Sequence, residues 1–234
     1  DLLIARGLIT DKQEAFIRVT EGLVYANDKK AVSPSQMYDD KARLEVRTPK
    51  QFVGRGALKL KHAIEHFNIN VKDKTCADIG ACHGGFTQVL LQNGAARVYA
   101  IDTAFGKLDL KLREHPQVVV MERTDIRDVK SLPERIDLAT IDVSLVALED
   151  FLPNVKRLLR PSGEVMALFK PQYQTRDMSL LRHGVVKDDE SRQQLLDDFT
   201  TWCSENGWEI LGQTNSPIKG GHGNTEYLIH LKSL

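Results

Sequence analysis

Ionisable residues at the ends of apolar runs are the first feature of this sequence that asks for a chemical explanation. Asp142 closes the run in IDVS and Lys170 the run in FKPQ, positions where a charged side chain is costly unless it is paired or has work to do. A lysine can take a proton from a hydroxyl only when it is itself neutral, a form that burial or a neighbouring cation favours. Lys59, in GRGALKLK, is the candidate for that second cation. Glu226, entering the last apolar run in NTEYLIHL, should lie near the Lys170 strand end. Each has a plain structural alternative, a snorkelling surface lysine for Lys59 and a strand-edge charge for Glu226.

A second group surrounds DIGACHGGFT at 78–87, where an apolar strand ends in Asp78 and runs through Gly80, Gly84 and Gly85 into a helix. Glycines at such a turn let a ligand approach the backbone closely. A dinucleotide site calls for Gly-x-Gly-x-x-Gly, whereas here the acid comes first and the glycines are spaced one residue wider, which looks like a methyltransferase cofactor loop. Asp102 ends the next strand, where an acid can accept hydrogen bonds from both hydroxyls of a ribose. Asp125, just past the strand after that, could read an adenine amino group in the same crevice. His62 and His66 share a helical face but lack a third ligand at motif spacing, so no metal site is expected. Cys82 and His83 sit inside the loop without a partner that would make either a nucleophile.

These positions need a frame to bring them together. Short apolar runs at 75–79, 97–102, 118–121, 136–142, 164–170, 208–213 and 226–231 alternate with helical segments, the first a helix over 55–67. Such alternation implies an α/β fold with a mainly parallel sheet covered on both faces and ligands at the strand carboxyl ends. The last two runs are separated by a loop at 215–225 too short for a helical crossover, so they should pair antiparallel. Ahead of this lies a small α+β unit: helices over 2–8 and 11–21, the second opened by a capping box on Thr10 and Gln13, a strand over 23–27 leading into an Asp28-Lys29-Lys30 turn, and a strand near 43–47. Thr48-Pro49-Lys50 breaks the pattern, giving an expected small domain over 1–48 and a large one over 54–234. The chain starts at Asp1 within an apolar pattern, and a few native residues are expected to precede it.

Bulk properties set the outer limits. The 234 residues are 41% hydrophobic and 27% charged, values of a soluble globular protein with a sizeable core. No apolar run approaches the ~18–20 residues that cross a bilayer. The 32 basic and 32 acidic side chains cancel, so any affinity for nucleic acid must come from local patches. Three cysteines without paired zinc spacing fit a reducing cytoplasm.

Taken in order, GRGALKL, GGFTQVLLQNGAARVYAID, IDVSL, FKPQ, GVVKD and SPIKGGHGNTEYLIHL resemble the TlyA family, proteins also named hemolysins, within the FtsJ-like methyltransferase superfamily. The N-terminal stretch DLLIARGLITDKQEAFIRVTEGLVYANDKK resembles the RNA-binding module named after ribosomal protein S4. The resemblance implies a Rossmann-like fold with a mainly parallel seven-stranded sheet. It also implies S-adenosyl-L-methionine as cofactor and ribosomal RNA, alone or in a ribosomal subunit, as partner, with methyl transfer to a ribose 2′-hydroxyl, by family precedent of a cytidine. It assigns a catalytic tetrad to Lys59, Asp142, Lys170 and Glu226, with Lys170 taking the proton, and needs neither metal nor membrane. The cofactor set it implies is Asp78, Gly80, Gly84, Gly85, Phe86, Asp102 and Asp125. The sequence departs from the family where a Ser-Thr pair usually precedes Gly84, because Cys82 and His83 stand there, which bears on cofactor affinity rather than fold. Arg55, Lys61, Arg176 and Arg182 flank the motifs as candidate RNA-phosphate contacts. Competing readings are a membrane-active protein, an RNA-binding protein that has lost its cofactor, and a nicotinamide-dependent oxidoreductase. Vesicle leakage, cofactor calorimetry and nicotinamide binding would discriminate them.

Overall fold

A computed structural model describes residues 1–47 and 51–234, so the expected break at Thr48-Pro49-Lys50 lies outside the described residues. The chain divides into two compact units, Asp1–Gln51 and Phe52–Leu234.

The first unit holds helices α1 (Leu2–Ala5) and α2 (Lys12–Thr20) and strands β1 (Val24–Ala26), β2 (Lys29–Lys30) and β3 (Leu44–Val46), in the antiparallel order β2-β1-β3. Leu3, Ile9, Val19, Val24 and Ala31 form its core. Three local expectations are corrected. The cap of α2 is Asp11, not Thr10: Asp11 Oδ1 accepts from the amides of Gln13 at 2.8 Å and Glu14 at 2.9 Å, while Glu14 reaches back to Thr10 N at 3.1 Å. A charged cap at the positive end of a helix dipole outcompetes the neighbouring hydroxyl. Helix α1 stops at Ala5, and Lys29 and Lys30 are strand residues. The turn is Asn27-Asp28 alone, whose φ of 49° and 62° suits a two-residue hairpin of type I′.

The second unit contains α3 (Ala57–Phe67), β4 (Thr75–Ile79), α4 (Gly85–Gln92), β5 (Arg97–Asp102), α5 (Leu110–Arg113), β6 (Val118–Glu122), β7 (Ile136–Ile141), α6 (Leu152–Leu158), β8 (Leu159–Phe169), α7 (Pro171–Gln174), β9 (Leu181–Arg182), β10 (Val185–Val186), α8 (Asp189–Glu205), β11 (Trp208–Asn215) and β12 (Tyr227–Ser233). Seven strands form one sheet in the order β11-β12-β8-β7-β4-β5-β6. Strand β12 is antiparallel to both neighbours and the remaining pairs are parallel, as the alternating pattern and the short last loop imply. Strand β8 begins at Leu159, ahead of the expected Glu164. Leu159 pairs Ile136 before the register shifts, an irregularity that periodicity cannot register.

All five residues of β4 are buried, because helices cover both faces of the sheet. Ile79, Ile141, Ala167 and Ile229 pack towards Val155 of α6 and Phe199 of α8. Cys76, Leu138, Met166 and Leu228 pack towards Leu60 of α3 and Val89 of α4. The chain leaves β4 for β5 and β6 on one side and returns to β7 on the other. That reversal opens a crevice at the strand carboxyl ends, the usual ligand position in such sheets.

Candidate active site

Three neighbouring strands deliver three of the chemically conspicuous residues to one end of the sheet. Asp142 follows β7, Lys170 follows β8, and Glu226 precedes β12. Because Tyr227 pairs Phe169, Glu226 and Lys170 leave the sheet at the same level. Lys59 arrives from α3, whose Leu60 and Ala63 are buried on the same sheet face as Leu168 and Leu228.

The four residues form two ion pairs. Lys170 Nζ lies 2.6 Å from Asp142 Oδ1, and Lys59 Nζ lies 2.6 Å from Glu226 Oε2. The second pair is closed off, its side chains 9% and 3% exposed, whereas the Asp142 side chain keeps 24% exposure and lines the crevice. A bare charge at these depths would cost several kcal/mol, so pairing is what lets the four coexist with an apolar sheet end. Gly220 runs so close to Glu226 that a Cβ there would collide with Oε1, so the glycine leaves room for the carboxylate that meets Lys59.

The glycine loop builds the other wall. Gly80 has φ +86°, and a Cβ on it would stand 2.5 Å from the Asp142 carbonyl oxygen, so only glycine lets the loop cross the β7 end this closely. Gly84 caps α4 at φ +90°. Two adjoining hollows result, sharing Gly80, Cys82 and Asp142. The smaller, about 180 Å³, is lined also by Gly85, Phe86 and Arg55. The larger, about 480 Å³, is lined also by Asp102, Asp125, Ile101, Ile126 and Phe151, and its volume is that of a small-molecule pocket.

Not every residue singled out from the sequence faces these hollows. Asp78 and Gly84 line neither. Asp78 is fully buried behind the loop, where its Oδ2 accepts from Thr87 N at 2.8 Å and Thr87 Oγ1 at 2.6 Å while Oδ1 has no partner. Asp102 accepts from the amides of Cys82 and Ala104, both at 2.7 Å, and so fixes the loop from the crevice side. Asp125 lines the crevice with its carboxylate gripped by Arg127, through Nε and a terminal nitrogen at 2.6–3.1 Å. Hydrogen bonds from Arg127 hold the Asp125 carboxyl below the usual range. At the departure from the family pattern, Cys82 contributes its backbone amide to Asp102, and its thiol sits 3.1 Å from His83 Nδ1. The contact that shapes the loop is therefore independent of the side chain. Sequence reasoning missed Thr87, Arg127 and Ser144, whose hydroxyl accepts from Lys170 Nζ at 3.1 Å. Only the IDVS motif itself, two residues past its acid, could have drawn attention to Ser144.

Burial pushes the Asp78 carboxyl up to about 7 from 3.8, partly offset by the Thr87 hydrogen bonds. A carboxyl raised in this way keeps its proton in the native state at pH values where the unfolded chain has released it. The resulting stability is complete below about pH 4 and is lost as pH rises through about 7. Asp78→Asn, which cannot titrate, should therefore gain about 2–3 kcal/mol on wild type between pH 5 and pH 8. Urea unfolding of both proteins at the two pH values reads the difference, and a constant gap would mean that Asp78 is ionised in the native state throughout.

Among the described residues no group of three or more His, Cys, Asp or Glu could hold a metal ion, and no helix is long and apolar enough to cross a membrane. The family profile for FtsJ-like methyltransferases matches residues 52–233. The YqxC protein of Bacillus subtilis (strain 168) is 39% identical over 237 residues, covering 98% of this chain and 83% of its own. The 16S/23S rRNA (cytidine-2'-O)-methyltransferase TlyA of Mycobacterium tuberculosis (strain CDC 1551 / Oshkosh) is 36% identical over 235 residues, covering 99% of this chain and 88% of its own. A solved structure from Streptococcus thermophilus, named for a hemolysin, superposes with a TM-score of 0.77 at 36% identity, covering 99% of this chain and 86% of that one.

Proposed function

The chain belongs to the FtsJ-like methyltransferase family, and from that premise we propose that it is an S-adenosylmethionine-dependent ribosomal RNA methyltransferase acting on a ribose 2′-hydroxyl, that of a cytidine. The observation that carries this reading is the pairing of Lys170 with Asp142 and of Lys59 with Glu226 beside a glycine-walled crevice. A ribose hydroxyl is a poor nucleophile until its proton is removed, and Lys170, paired with the crevice-lining Asp142, is the group whose chemistry can remove it.

The residues present fit the cofactor. Gly80 leaves backbone where a Cβ would collide, Ile101, Ile126 and Phe151 offer apolar surface for an adenine, and Asp102 faces the crevice with lone pairs left for ribose hydroxyls. The unpartnered Oδ1 of Asp78, beneath the loop, suits the ammonium of an amino-acid tail. When bound, S-adenosylmethionine supplies a methyl group on a sulfonium, already activated for transfer. The protein's part is to hold the hydroxyl in line and to receive its proton on Lys170 Nζ, with Asp142 neutralising the ammonium that forms. The Lys59–Glu226 pair, closed off from solvent, fixes α3 against the β12 entrance and so shapes the floor on which the substrate rests.

The Asp1–Gln51 unit, with two helices and a three-stranded sheet, acts as the S4-like RNA-binding module that brings the ribosomal substrate to the active site. A ribosomal substrate implies a cytoplasmic enzyme. Labelled methyl transfer from S-adenosylmethionine to purified ribosomal subunits lacking the modification, followed by nucleotide mapping, tests the reading. Label on the ribose of a cytidine is expected; label on a base, or none in any subunit, would overturn it.

A further inference from the structure

The nitrogen of Lys170 is held by two oxygens at once, Asp142 Oδ1 at 2.6 Å and Ser144 Oγ at 3.1 Å. Once the ammonium of this ion pair has given up one proton, its tetrahedral nitrogen carries two N–H bonds, the side-chain carbon and one lone pair. When both N–H bonds are committed to fixed acceptors, the lone pair has one direction left. Asp142 and Ser144 line the crevice, so the acceptors themselves define where that direction is used.

The segment carrying Ser144 is anchored at both ends, to the end of β4 at its start and to the lysine turn at its far end. Asp142 N donates to Ile79 O at 2.9 Å at its start. At its far end Gln174 accepts from Leu148 N at 3.0 Å and donates to Lys170 O at 3.3 Å, so one side chain of α7 joins the two segments. Between them Leu145 turns the backbone at φ +70°, a conformation uncommon for a branched side chain and maintained here by those anchors.

We propose that Ser144 is a positioning residue that fixes the rotation of the Lys170 amine, so that its lone pair meets the substrate hydroxyl; the inference rests on the reading of Lys170 as proton acceptor. As the hydroxyl O–H bond breaks, its proton forms the third N–H bond of Lys170, and the electron pair left on oxygen forms the bond to the methyl carbon. The pair of the broken carbon–sulfur bond leaves with sulfur. With Asp142 alone the amine turns about its terminal carbon–nitrogen bond and the lone pair is aimed correctly only part of the time.

The test compares wild type, Ser144→Ala, Ser144→Thr and Lys170→Ala in the ribosomal-subunit assay, together with calorimetric titration of S-adenosylmethionine. Ser144→Ala should lower kcat about tenfold, with KM for the subunit and cofactor affinity within about twofold of wild type. Ser144→Thr, which keeps the hydroxyl, should recover most of the loss. Wild-type kcat in Ser144→Ala beside an inactive Lys170→Ala would discard the role of Ser144 and leave Lys170 as base. A Thr variant as slow as the Ala variant would do the same, as would a loss confined to KM. An active Lys170→Ala would remove the underlying reading instead.

Discussion

Lys170→Ala is expected to lower methyl transfer by roughly 10²- to 10⁴-fold, the range supplied by a positioned proton acceptor, without unfolding the protein. The variant removes a buried cation and leaves Asp142, which retains 24% exposure and opens on the crevice, so water can rehydrate the orphaned carboxylate. The fold therefore loses little while the chemistry loses its base. Lys170→Arg separates the base from a mere counter-charge, because a guanidinium keeps the pairing with Asp142 but does not give up its proton in proteins. Both variants should be similarly slow in single-turnover transfer at saturating cofactor, and both should still bind S-adenosylmethionine by calorimetry. Substantial activity in the arginine variant would recast Lys170 as an electrostatic clamp.

Glu226→Ala should have the largest effect on stability, about 3–5 kcal/mol, because it leaves the Lys59 ammonium 2.6 Å from nothing in a place where its side chain is 9% exposed. That loss is a large part of the total stability of a domain, so the variant should unfold at markedly lower urea concentration. Unlike Asp142, Lys59 has no open water beside it to take up the missing interaction. The double variant Lys59→Met with Glu226→Leu exchanges the pair for apolar side chains of similar size and should regain stability to within about 1–2 kcal/mol of wild type. Methyl transfer should remain low in the double variant, because the α3 and β12 entrance would no longer be set by a charged contact. Recovery of both stability and activity would make the pair a packing feature, with no part in catalysis.

The strand ends were legible because their cause is local. A run such as ALFK-Pro or ATIDV declares a buried strand by its own composition, and an ionised group at its end stands out before any neighbour is known. The parallel sheet and its antiparallel last strand follow in the same way from segment lengths and from the short 215–225 loop. Single-residue features were harder. The cap of α2 moved from Thr10 to Asp11 because two adjacent side chains compete for the same amides, and the choice depends on reach and charge. Asp78 and Asp102 read alike as strand-end acids, yet one lies behind the loop against Thr87 and the other faces the crevice.

By itself, then, the sequence determined the elements, the glycine loop and the family to which they belong, because each of these is carried by contiguous residues. Only the tertiary structure decided who pairs with whom. Lys59 meets Glu226 across 167 positions of sequence, and Lys170 meets Asp142 and Ser144 across a strand boundary. Two lysines and two carboxylates allow two pairings. The sheet order β12-β8-β7 sets Lys170 between the β12 entrance and the β7 end, and α3, packed across the face of β8 and β12, decides the pairing by carrying Lys59 to Glu226. Strand order is fixed by packing over the whole domain, and no local stretch of sequence records it.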